Sequence, residues 1–156
     1  AHGWTMFAGL ARPNSRGRIR LKSDDPNTMP IVDANMLSDP RDLEAARACV
    51  KLSRELGGSN AFRPFVSAER IPGTDRQIDD AFIRDAAVTY WHQCGTAKMG
   101  SDDMSVVDAK LAVHGITGLR IADGSVLPRV TTGNTMAPCA IVGERAADLM
   151  RRQYGL

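Results

Sequence analysis

The residue best suited to chemistry in this sequence is His92, within residues 90–100 (YWHQCGTAKMG). It follows a predicted helix and precedes Gly95-Thr96, where regular backbone structure ends, and loops held by rigid elements often carry reactive groups. An imidazole can take up a proton near neutral pH, so His92 is a candidate general base. Single histidines are more often structural or exposed, and spacing alone leaves that interpretation open. His2 and His114 are weaker candidates, because one is terminal and the other lies in a Gly-rich turn.

A second candidate is Gly133-Asn134-Thr135, directly before an apolar helix predicted over residues 137–150. Either Asn134 or Thr135 could simply cap that helix. A helix N-terminus also offers unpaired N–H groups and about half a positive charge, so the same residues could stabilise an anion or a developing negative charge.

The third candidate is Asp123-Gly124, at the end of a short strand predicted over residues 119–122. Glycine allows the backbone to approach a phosphate or ribityl chain closely. An ordinary turn after a strand would have the same sequence, so this pattern is weak by itself.

The rest of the chain predicts the elements that position these residues. Residues 4–11 are apolar and predict a strand that pairs with a second strand over residues 18–21, where polar and apolar residues alternate. Asp39-Pro40 starts a helix that Gly57-Gly58 ends, with Ala45, Cys49, Leu52 and Leu56 as its apolar stripe. Thr74 and Gln77 form a capping box that opens a second helix.

Composition limits the classes of protein that fit. The chain has 156 residues, 43% of them hydrophobic and 24% charged, with 20 basic and 18 acidic side chains for a net charge of +2. These values are typical of a folded globular chain and give no broad basic field for nucleic acid. No apolar run approaches the roughly 18 residues of a membrane span. Cys49, Cys94 and Cys139 are too widely spaced for a disulfide framework or a zinc site, so no metal is expected.

Taken in order, the motifs resemble the C-terminal part of a glucose–methanol–choline (GMC) flavoprotein oxidoreductase. Residues 92–100 resemble the family's H-x-x-G-T-x-x-M-G segment, and residues 107–115 resemble its V-D-x-x-L-x-V-x-G stretch. Residues 119–128 are similar to its L-R-x-x-D-[AG]-S-x-x-P strand, and residues 132–149 to its closing G-N-T…E-[KR]-A-A-D-L helix. Four motifs in the family's order make the resemblance specific.

The resemblance implies oxidation of an alcohol to a carbonyl, with hydride transfer to N5 of FAD and O₂ or another electron acceptor. His92 would be the catalytic base, and Asn134 would hold the substrate oxygen. The positions that match FAD-lining residues of the family are Trp91, Asp123, Gly124, Asn134, Thr135 and Met136. A hydroxynitrile lyase on the same scaffold is an alternative, in which the base acts without net redox change.

The family's G-x-G-x-x-G dinucleotide motif is absent from these residues. We therefore expect the chain to act with an N-terminal FAD-binding portion, on the same or a separate polypeptide, although a truncated non-catalytic domain is an alternative. The expected fold is α+β. Residues 1–90 would form part of a substrate-binding domain with an antiparallel sheet and helices. Residues 91–156 would form the active-site segment and the C-terminal part of the FAD-binding domain. The expected location is the cytoplasm.

Overall fold

The computed structural model describes residues 3–155. Within that range the helices are α1 (Pro40–Gly57), α2 (Asp80–Ala86) and α3 (Met136–Tyr154). Strands β1 (Arg18–Arg20) and β2 (Ile31–Asp33) form a two-stranded antiparallel sheet. Short 3₁₀ turns lie at Arg63–Phe65 and Gly124–Val126. Three helices and a two-stranded antiparallel sheet among the described residues confirm the α+β prediction.

The chain divides into two compact units. One comprises Asp33–Val88 with the chain up to Gly17, and the other comprises Arg18–Val32 with the chain from Thr89 onward. The assignment of residues 1–90 to a substrate-binding domain and of residues 91–156 to an FAD-binding domain stays a prediction.

Helix α1 begins and ends where the sequence predicts. The Asp39 carboxylate accepts a hydrogen bond from the Arg41 amide at 2.9 Å, and Pro40 occupies the first turn. At the other end the Gly58 amide donates to the Arg54 carbonyl at 2.9 Å. The predicted apolar stripe is wrong, because Leu52 and Leu56 are 55% and 46% exposed. The small core of this unit is instead formed by Leu37, Leu43 and Ile83.

The second helix begins later than predicted. Asp79, rather than Thr74, is its cap, and the Asp79 carboxylate accepts from the Phe82 amide at 2.8 Å. The segment before α2 is irregular and is bound by the Arg54 side chain of α1. Nη2 of Arg54 lies 2.9 Å from the Glu69 carboxylate and 2.9 Å from the Gly73 carbonyl oxygen. These contacts fix residues 69–73 without a helix.

The predicted strand over residues 4–11 is also wrong. Residues 3–10 have no regular structure, and β1 pairs with β2. The Trp4 ring stacks on Phe62, with the ring centroids 5.2 Å apart. Trp4 and Leu10 of this segment therefore take part in side-chain packing without a backbone ladder, whereas Phe7 is 76% exposed.

The second unit contains the core on which the candidate site is built. Its buried residues are Val107, Leu111, Val126, Val142 and Ala146, with α3 supplying the last two. Single bridges connect the surrounding loops, and the strand predicted over residues 119–122 is reduced to one bridge between Ala112 and Arg120. Helix α3 extends beyond the predicted range 137–150 at both ends. Among the described helices, none combines the length and the apolar character needed to cross a bilayer.

Candidate active site

The backbone turns sharply just before His92. Trp91 has a φ of +57°, a left-handed conformation that bulky residues rarely adopt. The Thr89 hydroxyl oxygen accepts two hydrogen bonds across this turn, from the Trp91 amide at 3.0 Å and from Gln93 Nε2 at 2.8 Å. Thr89 therefore stabilises the turn that sets the direction of the next residue, His92.

The segment after His92 is anchored to the core of its unit. The Ala97 amide donates to the Ser125 carbonyl at 3.0 Å, and the Met99 amide donates to the Val126 carbonyl at 2.8 Å. Further along, the Lys98 ammonium and hydrogen bonds from Ser105 and the Met104 amide lower the pKa of Asp102 to about 2. Both sides of His92 are thus fixed by hydrogen bonds.

Asn134 and Thr135 contact the two ring nitrogens of His92. Nε2 lies 3.0 Å from Asn134 Oδ1, and Nδ1 lies 3.4 Å from Thr135 Oγ1. An amide oxygen can only accept, so in this arrangement Nε2 donates to Asn134, and Nδ1 accepts from the Thr135 hydroxyl. The Tyr90 ring meets the imidazole edge to face, with centroids 5.3 Å apart and planes at 83°. The ring of His92 is therefore held from three sides.

Asn134 and Thr135 directly precede the N-terminus of α3, which lacks compensating negative charge. The Thr135 side chain forms no capping hydrogen bond, and the first turn contains no acidic residue. The unpaired N–H groups of such a helix end carry a positive partial charge. A group that gains negative charge beside Asn134 would be stabilised there.

These residues line an open depression of about 700 Å³. Its lining residues come from the His92 segment and the start of α3: Trp91, His92, Thr131, Gly133, Asn134, Thr135, Met136, Ala137, Pro138 and Cys139. Five of the residues that the sequence nominates are therefore brought together, namely Trp91, His92, Asn134, Thr135 and Met136. Trp91 and Met136 are largely exposed, at 76% and 82%.

Asp123 and Gly124 are not among the residues that line the depression. Asp123 caps its own 3₁₀ turn, where hydrogen bonds from the Ser125 hydroxyl and amide lower its pKa. A Cβ atom added at Gly124 would lie 3.0 Å from Cys139 Sγ. Gly124 thus allows this turn to approach Cys139, which itself lines the depression. The assignment of Asp123 and Gly124 to cofactor binding stays a prediction.

His114 does not line the depression. His114 is exposed, and its Nε2 lies 3.1 Å from the Gly100 carbonyl oxygen. His2 lies outside the described residues. Within residues 3–155, no group of three or more His, Cys, Asp or Glu side chains could hold a metal ion.

Sequence reasoning did not identify Thr89 or Cys139 as contributors. Thr89 acts through the backbone of Trp91. Its only sign in the sequence is a hydroxyl two residues before Trp91, whose strained backbone is seen in the structure. Cys139 follows Thr135 by one helical turn, and its amide donates to the Thr135 carbonyl at 3.0 Å. That four-residue spacing was available in the sequence as a sign of a shared helix face.

Comparison with known proteins identifies the family of this chain. Residues 13–143 match the model for the C-terminal region of the GMC oxidoreductases. The chain belongs to the GMC oxidoreductase family, and the resemblance drawn from the motifs is confirmed.

Curated and solved relatives give the same result. Oxygen-dependent choline dehydrogenase of Escherichia coli O139:H28 is 40% identical over 99% of this chain. An FAD-dependent oxidoreductase from Chaetomium thermophilum superposes with a TM-score of 0.85 at 30% identity, covering 94% of this chain and 26% of that one. A fungal aryl-alcohol oxidase superposes with a TM-score of 0.83 at 31% identity, covering 94% and 25%. The chain spans 28% of the length of the choline dehydrogenase.

Proposed function

We propose that this chain supplies the base and the substrate-oxygen site of an FAD-dependent alcohol oxidase or dehydrogenase. The observation that carries the proposal is the imidazole of His92, held between Asn134 and Thr135 at the uncapped N-terminus of α3. The names of the relatives, which include choline dehydrogenase and aryl-alcohol oxidase, support an alcohol as the substrate.

In this proposal His92 accepts the proton of the substrate hydroxyl at Nε2, after the ring proton that Nε2 donates to Asn134 in the free site has moved to Nδ1. The O–H bond breaks, its electron pair forms the carbonyl π bond, and the carbon loses a hydride from its C–H bond. When bound, FAD would supply the two-electron acceptor for that hydride, at N5. Proton removal by a positioned base makes hydride loss easier because negative charge builds on the oxygen.

Asn134 is proposed to hold the substrate oxygen. Its amide already reaches Nε2 of His92 at 3.0 Å, so an oxygen bound by the amide would lie within reach of the base. The same amide can turn its NH₂ group toward an oxygen and its carbonyl toward an N–H, since Asn carries both donor and acceptor. Asn134 thus fits both the free and the substrate-bound arrangement.

The flavin side of the proposal rests on the α3 N-terminus. A reduced flavin carries negative charge near N1 and C2=O, and an uncapped helix N-terminus without acidic neighbours stabilises such charge. Asn134, Thr135 and Met136 would hold the ring there together with Trp91. Asp123 and Gly124 would hold a more distant part of the cofactor. The rest of the FAD site belongs to an N-terminal FAD-binding portion, which we propose as the partner of this chain.

The test is anaerobic addition of a panel of primary alcohols, choline and aryl alcohols included, to the holoenzyme that carries this chain with its FAD-binding portion. We expect the oxidised flavin band to bleach and one carbonyl product to form per flavin reduced. Admission of O₂ or an artificial acceptor should restore the band. Faster recovery with O₂ indicates an oxidase, and faster recovery with the artificial acceptor indicates a dehydrogenase. Cleavage of a cyanohydrin with the flavin band unchanged throughout would instead establish the lyase.

A further inference from the structure

The Thr135 hydroxyl has an unusual position for a residue at a helix start. Threonine at an N-cap normally turns its oxygen toward the amides of the first turn and stabilises the helix end. Here Thr135 has φ −76° and ψ −10°, and its side chain makes no capping bond. Its oxygen lies 3.4 Å from Nδ1 of His92 instead. The hydroxyl is therefore directed to the imidazole at the expense of the helix end.

The backbone of Thr135 is fixed independently of that contact. Its carbonyl accepts from the Cys139 amide at 3.0 Å in the first turn of α3. Just upstream, the Thr131 hydroxyl donates to the Gly133 carbonyl at 2.8 Å and stabilises the preceding turn. Thr135 is thus a rigid support, while the side chain that it contacts, His92, lies on a separate loop.

The two ring nitrogens of His92 have different partners. Asn134 contacts Nε2 and Thr135 contacts Nδ1, so two consecutive residues define the ring plane. The ring proton must lie on Nδ1 before Nε2 can act as the base, so the partner of Nδ1 must tolerate both tautomers of the ring. A hydroxyl can donate or accept, whereas an amide must turn by half a rotation to do the same.

We propose that Thr135 is a positioning residue that orients His92 through Nδ1 and keeps Nε2 directed toward the substrate oxygen in both protonation states of the ring. When the ring proton lies on Nε2 the hydroxyl donates to Nδ1; when Nε2 is free to act as the base, Nδ1 carries the proton and the hydroxyl accepts from it, before and after Nε2 takes up the substrate proton. This inference rests on the proposed function, because it assigns Thr135 a role toward the base named there. It differs from the cofactor-lining position that the resemblance implies for the same residue.

Two variants separate the hydroxyl from the rest of the side chain. Thr135→Val keeps the branched shape and removes the hydroxyl, while Thr135→Ser keeps the hydroxyl and removes a methyl group. Nitrogen NMR of histidine-labelled holoenzyme measures the hydrogen bond at Nδ1 directly. We expect the Nδ1 resonance of His92 to move in Thr135→Val and to stay near its original position in Thr135→Ser. The His114 resonances serve as the internal control and should be unchanged in both.

Stopped-flow flavin reduction gives the second readout. We expect Thr135→Val to lower the limiting reduction rate constant about tenfold with a smaller change in substrate affinity, and Thr135→Ser to recover most of the rate. An unchanged Nδ1 resonance in Thr135→Val, or equal rate losses in both variants, would overturn the proposal. If the parent enzyme reduces no flavin with any alcohol, the proposed function fails, and the NMR result alone still decides whether Thr135 binds Nδ1.

Discussion

Nε2 of His92 lies 3.0 Å from Oδ1 of Asn134, although 42 residues separate the two in the chain. The contact places the candidate base beside the residue proposed to hold the substrate oxygen. It also lies where the N-terminus of α3 contributes positive partial charge. The proposed proton acceptance and charge stabilisation would therefore both occur beside the start of one helix.

His92 provides the most direct prediction. His92→Gln keeps a polar side chain but removes the base, so we expect the anaerobic flavin-reduction rate constant to fall by about 10²–10⁴-fold. His114→Gln is the matched control, since it makes the same chemical change at an exposed histidine that does not line the depression. Equal rate constants for His92→Gln and the parent enzyme would remove His92 from the mechanism.

Asn134 is predicted to act on both binding and rate. Asn134→Ala removes the amide that contacts Nε2, so we expect weaker substrate binding and flavin reduction slower by about tenfold or more. Asn134→His keeps a polar group able to bond the substrate oxygen and should recover part of the loss. If Asn134→Ala changes only the thermal stability and leaves reduction unaltered, Asn134 is no more than a residue of the helix start.

Thr89 is predicted to hold the Trp91 turn. In Thr89→Val the Trp91 amide and Gln93 Nε2 lose their shared acceptor, and we expect hydrogen exchange at the Trp91 amide to speed up by about fivefold or more. Thr89→Ser keeps the acceptor and should exchange as slowly as the parent. Fast exchange of that amide in the parent protein itself would contradict this role.

The sequence allowed prediction of those parts of the fold that depend on neighbouring residues. Asp39-Pro40 and Gly57-Gly58 determine the ends of α1 through bonds within one or two turns, and both predictions are confirmed. The strand expected over residues 4–11 was wrong because Trp4 packs on Phe62, a contact that no local pattern indicates. The prediction placed the start of helix α2 too early. Asp79 caps this helix, and Arg54 binds the irregular loop that precedes it.

The candidate site divides in the same way. The positions of Asn134 and Thr135 before a helix were readable from local sequence, but their contacts with His92 depend on a fold that joins residues far apart. Local sequence therefore ranked His92 above the other two histidines but left a structural role open, and the order of the motifs made the interpretation specific. The exposure of Leu52 and Leu56 likewise could not be read from helical periodicity, which defines a face without showing what covers it.

Gly124 is predicted to be required for the approach of its turn to Cys139. A Cβ atom at this position would lie 3.0 Å from Cys139 Sγ, so we expect Gly124→Ala to lower the free energy of unfolding by about 1–2 kcal/mol. Cys139→Ala removes the sulfur, and the double variant should recover most of that loss. Urea unfolding of the parent, both single variants and the double variant measures the coupling, and strictly additive effects would disprove the contact.

Asp42 is predicted to make stability depend on pH. It is 3% exposed, and this burial raises its pKa. Hydrogen bonds from the Asn14 amide and from the Ser15 hydroxyl and amide lower the pKa by more than burial raises it, so that it falls from 3.8 to about 2. A depressed folded-state pKa stabilises the protein above the unfolded-state value, so the contribution of about 2 kcal/mol is present at neutral pH. It is lost as the pH falls from about 5 toward about 2.

Urea unfolding across that pH range checks the expectation. Asp42→Asn leaves some of the Asn14 and Ser15 donors without an acceptor, so we expect it to unfold about 2 kcal/mol more easily at neutral pH and to show a flatter acid dependence. Asp24→Asn changes an exposed loop carboxylate and is the matched control. A parent protein and an Asp42→Asn variant with parallel stability curves between neutral and acid pH would show that this carboxylate does not tie residues 14–15 to α1 in solution.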